Sequence, residues 1–287
     1  MQRNSTETIM KYVFMFCAMI SIIAIILIFY FIFEGGVPFI IEEGLGNFLL
    51  GQVWRPRATN AQFGIFPMIV GSVIVTFGAI LIGVPIGILT AVFMAYFCPK
   101  PLYRWLKPAI NLMAAIPSIV YGFFALQIFV PFFRNIMGGS GMNMVTASLL
   151  LGIMILPTII GMSEASIRAV PASYYQASMG LGATHERSVM NVVVPAAKSG
   201  ILSSVILGIG RAIGETMAVI LVTGNQPALP TGLNSGVRTL TTNIVLEMAY
   251  ASGRHRESLI ATAVVLFVFI LIINTIFMVI KSKGKDS

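Results

Sequence analysis

Apolar runs alternate with short polar stretches along the whole chain, and each run is about as long as a bilayer is thick. About 20 consecutive apolar residues carry a helix across the hydrocarbon core. Six runs reach that length, at residues 12–33, 66–96, 109–133, 144–164, 200–224 and 258–280. The pattern predicts an all-α polytopic membrane protein of six transmembrane helices, forming one domain over residues 1–287. The second run is longer than a bilayer needs and holds Pro85 between Gly83 and Gly87, so it is expected to be tilted, kinked or partly outside. Pro117 and Pro157 fall inside the third and fourth runs. Such breakers are tolerated where neighbouring helices re-satisfy the backbone. Tyr12–Phe33 exceeds a secretory h-region and no small-residue cleavage site follows it, so it reads as a retained span.

Composition agrees with that pattern. The chain is 57% hydrophobic and 10% charged, with a mean hydropathy of +0.93. Soluble domains carry about 25% charged residues, so there is too little charge here to coat a soluble globule. The net charge of +8 sits between the runs and reads as a topology signal, not as a nucleic-acid face. With the N-terminus inside, eleven cations fall on inner segments: Arg3, Lys11, Lys100, Arg104, Lys107, Arg168, Arg187, Lys198, Lys281, Lys283 and Lys285. Six fall outside: Arg55, Arg57, Arg134, Arg238, Arg254 and Arg256. The positive-inside rule then places both termini in the cytoplasm. Cys17 and Cys98 lie in or beside apolar runs and are expected to be buried as small hydrophobes. Neither a disulfide framework nor metal-ligand spacing is present. His185 and His255 lie between spans and read as solvated surface residues.

The inner segment 165–199 is the longest on its side. Pro171 suits the first turn of a short helix, and Ala172–Met179 has the small side chains that let another protein approach closely. Gly180 and Gly182 permit a sharp turn. Thr184 suits the N-cap of a second helix, with Glu186 near its positive end. Gln176-Ala177-Ser178, then Gly182, then Val192-Val193-Val194-Pro195 resembles the cytoplasmic signature E-A-A-x3-G-x9-I-x-L-P of ABC importer permeases, with the same spacing and relaxed letters. The resemblance implies a coupling helix seated in a groove of a separate ATPase, with Pro171, Gln176, Ala177, Ser178, Gly182 and Pro195 as its residues.

The fifth run contains charge. Arg211 and Glu215 are four apart, which places them on one face of a continuous helix. Each opposes insertion by about 2.5–3.5 kcal/mol at the bilayer centre, so neither should face lipid. They are expected to form a mutual ion pair or to belong to a substrate path. Gly210, Gly214 and Ala218 form a small-residue stripe beside them, which allows close helix packing.

The run Gly210-Arg211-Ala212-Ile213-Gly214-Glu215-Thr216-Met217-Ala218-Val219, followed by Val222-Thr223-Gly224-Asn225, resembles the fifth span of PstC-type phosphate permeases. Glu34-Gly35-Gly36-Val37-Pro38-Phe39, Trp54-Arg55-Pro56, Phe63–Pro67 and Ala115–Phe124 extend the resemblance over most of the chain. It implies a six-span type I ABC importer permease for inorganic phosphate, with Arg211 and Glu215 on the substrate path. Glu215 would hold Arg211 in place and keep phosphate from binding too tightly. The implied partners are a PstA-type second permease, a PstB-type ATPase dimer that binds ATP and Mg, and a PstS-type extracytoplasmic phosphate-binding protein. Trp54, Arg55 and the segment 226–256 would receive the binding protein. The implied location is the bacterial cytoplasmic membrane.

No cofactor is expected in this chain, because no P-loop occurs: the tail Gly284-Lys285-Asp286 lacks the first glycine and the hydroxyl residue. No catalytic or metal-binding motif occurs either. An intramembrane enzyme using Glu164 or Glu215 would need a nucleophile or metal set, and the sequence pairs neither carboxylate with one. A stand-alone channel or carrier would leave the inner loop idle. Sulfate or molybdate is the alternative cargo, since one arginine does not identify an anion.

Overall fold

The computed structural model describes residues 2–283. Lys285 and the Gly284-Lys285-Asp286 tail lie outside them. Helix α1, Gln2–Glu43, continues through Pro38. Helix α2, Leu45–Leu50, follows. A short antiparallel hairpin then pairs β1, Trp54–Arg55, with β2, Gln62–Phe63, setting Trp54 opposite Phe63. Helix α3, Phe66–Val92, has Pro67 in its first turn, where a missing N–H costs nothing. It passes Pro85 without a break and closes in a π turn at Phe93–Phe97. Helices α4 (Lys100–Ala115), α5 (Ser118–Met137) and α6 (Met144–Arg168) come next. The inner segment folds as α7 (Ala172–Gly180), α8 (His185–Ser188), a second π turn and α9 (Val194–Ala196). Helices α10 (Lys198–Gly214), α11 (Met217–Val222), α12 (Leu240–Met248) and α13 (Arg254–Lys283) complete the chain.

Among the described residues, five segments are long and apolar enough to cross a membrane: Glu7–Glu43, Phe66–Phe97, Ser118–Met137, Met144–Arg168 and Arg254–Ile276. A sixth arises if His185–Ala196 and Lys198–Gly214, bent by 67° at their junction, count as one. The molecule is a multi-pass membrane protein. Two expected spans differ from single helices. The run 109–133 is divided at Ile116-Pro117, because the residue before a proline is pushed out of helical geometry. The run 200–224 is divided at Glu215-Thr216, where Glu215 is extended.

Helix α6 is the hub. Two-thirds of its apolar window is buried by its own chain (67%), against none for α1 (0%). It packs against α3, where Ser148 Oγ donates to Val75 O at 3.3 Å. On another side it packs against α10, where the Ser163 and Ser204 hydroxyls meet at 2.6 Å. Small polar contacts of this kind hold helices together where lipid supplies no hydrophobic driving force. Helix α1 instead meets α13 through Phe29 and Phe33 against Phe267, with ring centroids 4.5 and 5.9 Å apart. Its surface between Ile9 and Phe31 is largely apolar and open. Cys17 is exposed on that surface and Cys98 is half-buried, so neither is the core residue expected. An apolar surrounding makes the exposure of Cys17 inexpensive.

Apolar clusters close the two ends. Phe39, Phe48, Trp54, Phe63 and Leu259 fill the end bearing the hairpin. Met94, Ile110, Ile160, Ile167 and Val193 fill the end bearing α7.

Candidate substrate path and coupling surface

Helix α10 runs antiparallel to α6, and side-chain contacts fix the depth of each residue. Ser204 meets Ser163, and Arg211 Nη1 donates to Thr158 Oγ1 at 3.2 Å. Thr158 lies near the middle of α6, so Arg211 sits near mid-depth. Its half-buried guanidinium lines an open cavity of about 740 Å³ between α6, α10 and α13, together with Thr158, Ser203 and Asn274. A guanidinium held by one neutral hydroxyl keeps most of its five donors free.

Glu215 does not share a helical face with Arg211. Helix α10 ends at Gly214, and Glu215 adopts φ −69°, ψ 131°. Its Oε1 accepts from Ala218 N at 3.2 Å, and its own carbonyl accepts from Thr241 Oγ1 at 3.2 Å. No ion pair joins Arg211 to Glu215. The expected pairing is therefore replaced by a carboxylate that supplies the first turn of α11 with an acceptor for an orphan N–H. Gly122 of α5 packs against α11 so closely that a Cβ there would lie 2.8 Å from Ala218 Cα. Helix α12 caps the break from the hairpin end: Thr241 holds Glu215, and Leu240 N donates to Ser72 Oγ of α3 at 2.9 Å.

At the far end of α12, Glu247 organises the hairpin end. It accepts from Trp54 Nε1 at 3.1 Å and Arg238 Nη1 at 2.5 Å, and it pairs with His255 Nε2 at 2.8 Å. His255 is buried against this carboxylate, contrary to the solvated reading of the sequence. Trp54, Arg55, Arg57, Arg238 and Tyr250 line a cavity of about 430 Å³ beside it.

At the other end, Pro171 occupies the N-cap position of α7, and the helix buries no residue. Gln176 and Ala177 are exposed, and the Ser178 hydroxyl lies 2.9 Å from that of Ser188. Gly182 takes φ +86°, a left-handed conformation that strains residues with a Cβ. Thr184 caps α8 by accepting from Arg187 N. Pro195 lies in α9, at the re-entry toward α10. Tyr174, Met179 and Leu181 expose apolar surface around α7, Leu181 to 90%. A short helix with no fully buried residue and an apolar rim is suited to receive a partner.

Residues 83–283 match the family of binding-protein-dependent transport system inner membrane components. The chain belongs to that family. A permease protein of Bacillus subtilis, YqgH, described as a probable ABC transporter permease, is 36% identical over 90% of this chain and 86% of its own length. Phosphate transport system permease proteins PstC of Mesorhizobium japonicum and Haemophilus influenzae are each 35% identical. The first covers 80% of this chain and 76% of its own, the second 84% of both. A solved chain of the MetNI methionine ABC transporter, in an inward-facing form, aligns with a TM-score of 0.57 at 20% identity. That alignment covers 77% of this chain and 94% of the other. The fold is that of the type I ABC importer permeases.

As an importer permease the chain is a transport subunit whose family works with an ATPase and a binding protein. One cluster of this permease escaped the sequence reading. Glu164, 1% exposed, accepts from Tyr103 OH at 2.7 Å, Lys107 Nζ at 2.7 Å and Arg168 Nε at 2.8 Å. That hydrogen bond to the carboxylate, with burial, raises the Tyr103 hydroxyl above the usual phenol range. Arg168 also donates to Met94 O at 2.7 Å. Tyr103 and Lys107 lie 61 and 57 residues from Glu164, so spacing marks only the Glu164–Arg168 pair, four apart on α6.

Proposed function

We propose that this chain is the PstC-type membrane-spanning subunit of a phosphate-importing ABC transporter in the bacterial cytoplasmic membrane. The observation that carries the proposal is the Arg211 guanidinium, at mid-depth beside a helix break and facing an open cavity. A guanidinium fork matches two oxygens of a phosphate at once. Relatives named as phosphate permeases, at 34% to 35% identity over most of the chain, support the choice of anion.

The excess of cations on the segments around α7 supports a cytoplasmic placement of that end and of both termini. A PstB-type ATPase dimer binds ATP and Mg and receives α7, through Gln176, Ala177 and Ser178. Pro171, Gly182 and Pro195 set the bends that present the helix. A PstA-type second permease lies alongside and shares the phosphate path. A PstS-type binding protein docks at the hairpin end, on Trp54, Arg55 and the segment 226–256. Closure of the ATPases moves α7, and the path past Arg211 opens alternately to each side. Discontinuous helices at mid-depth are a recurrent way to build such a site, because the two halves tilt separately. Glu215 supports α11 at the break and thereby shapes the path.

The test is radiolabelled phosphate uptake by the assembled importer carrying Arg211→Ala, with assembly checked by co-purification. Uptake is expected to fall about tenfold or more, as for loss of a charged hydrogen-bonding partner. Normal uptake by an intact complex would remove Arg211 from the path. Uptake of sulfate or molybdate in place of phosphate would overturn the choice of anion.

A further inference from the structure

Four groups converge where three elements meet above α7. Glu164 belongs to the last turns of α6, Tyr103 and Lys107 to α4, and Arg168 to the end of α6, with its second nitrogen on the closing turn of α3. The Arg168 guanidinium also lies over the Tyr103 ring, 5.0 Å from its centre. Each carboxylate oxygen has a charged donor. A buried carboxylate is tolerated only when so paired, and removing one partner from such a cluster is costly.

The position of the cluster gives it mechanical reach. Arg168 ends α6 only a short link before Ala172 begins α7. Tyr175 of α7 stacks near Tyr96 of the α3 turn, centroids 5.6 Å apart, so the coupling helix also leans on α3. From the cluster, α4 runs to Met113, whose carbonyl accepts from Tyr121 OH of α5 at 2.9 Å. One residue further, Gly122 is in close contact with Ala218, next to the break that Glu215 supports. An unbroken series of packed and hydrogen-bonded contacts therefore joins α7 to the mid-depth break.

We infer that Glu164 is a positioning residue for energy coupling. By clamping α4 to α6 and α3, it makes α4 the strut that carries displacement of α7 to the break beside Arg211. The inference rests on the transport function proposed above. Glu164 lies away from the cavity that Arg211 lines and acts on the path only through α4. Contiguity alone does not establish coupling, so the test must separate transport from hydrolysis.

The complete importer is reconstituted in vesicles, and phosphate uptake and ATP hydrolysis are measured on the same preparation. Glu164→Gln is expected to lower phosphate imported per ATP hydrolysed about tenfold, with hydrolysis within about twofold of normal. Glu164→Asp, which keeps the charge, is expected to recover most of that ratio. Lys107→Gln, at a side chain 33% exposed, is the milder variant and is expected to lower the ratio in the same direction. Should Glu164→Gln fail to assemble, Lys107→Gln and Glu164→Asp decide the matter. Parallel loss of uptake and hydrolysis, or an unchanged ratio, overturns the inference and leaves the cluster a structural clamp. If the wild-type importer carries another oxyanion, the phosphate assignment falls, and the same ratio measured with that ion still tests Glu164.

Discussion

Gly83 lets α3 approach the backbone of α6, and replacing it by alanine tests what that approach contributes to stability. A Cβ at residue 83 would lie 2.7 Å from the Gly152 carbonyl oxygen and 2.7 Å from Ile155 Cγ1. Ordinary carbon contacts begin near 3.5 Å, so the methyl group is about 0.8 Å too close. Ile155 has rotamers to explore, but the Gly152 carbonyl is fixed within its helix, so the helices must separate. A gap of that size forfeits about a quarter to a half of each contact's attraction along the interface. The expected cost is about 2 kcal/mol, within the range for overpacked interiors. At about 2–4 °C per kcal/mol for a domain of this order of size, the melting temperature should fall by about 5 °C. Thermal unfolding of the purified importer in detergent reads this directly. Gly161→Ala, on the same α6, is the control, because nothing of this chain lies within 4 Å of its Cβ position. It should be neutral or stabilising by up to about 1 kcal/mol through helix propensity. If Gly83→Ala melts with the wild type, or if the two variants melt together, the close approach of α3 and α6 does not govern stability.

Three further outcomes follow from separate features. Gly182→Ala should strain a left-handed residue by about 1–2 kcal/mol in a place with open space around it. Its effect should appear as weaker co-purification of the ATPase, with the membrane bundle melting normally. Glu247→Ala leaves Trp54, Arg238 and His255 without their shared acceptor. It should destabilise the hairpin end by about 3–5 kcal/mol, read as faster proteolysis near the hairpin. Asn143→Ala removes the side-chain acceptor that Thr146 N uses at 2.9 Å at the start of α6. It should cost about 1 kcal/mol in the same melting assay.

The helices that cross as single rods were legible because period and length are local properties of the sequence. The apolar run at 144–164 lies wholly inside α6, and the loop signature falls on α7 and the turn at Gly182. The break at Pro117 had a visible cause, yet the run through it looked continuous because residues on both sides are apolar. Helix α4 was hidden by the same rule, since Lys100, Arg104 and Lys107 made its first half read as loop. Nothing local marks the break at Glu215-Thr216. It depends on a carboxylate turning to the Ala218 N–H and on Thr241, 26 residues away, holding the Glu215 carbonyl. The Glu164 cluster and the burial of His255 are likewise tertiary facts. A charged residue in an apolar run announces that it needs a partner without naming the partner.

Helix α1 also bears on how the protein enters the membrane. Its apolar stretch has a mean hydropathy of 2.9, and no residue of that window is fully buried by its own chain. A segment of this kind favours transfer into lipid. The α10–α11 pair is the opposite case, because Arg211 and Glu215 oppose entry until something accommodates them. Thr158 supplies the contact for Arg211, and it lies on α6, which the ribosome has already delivered. The segment that carries Arg211 thus follows, in chain order, the helix that gives Arg211 its contact.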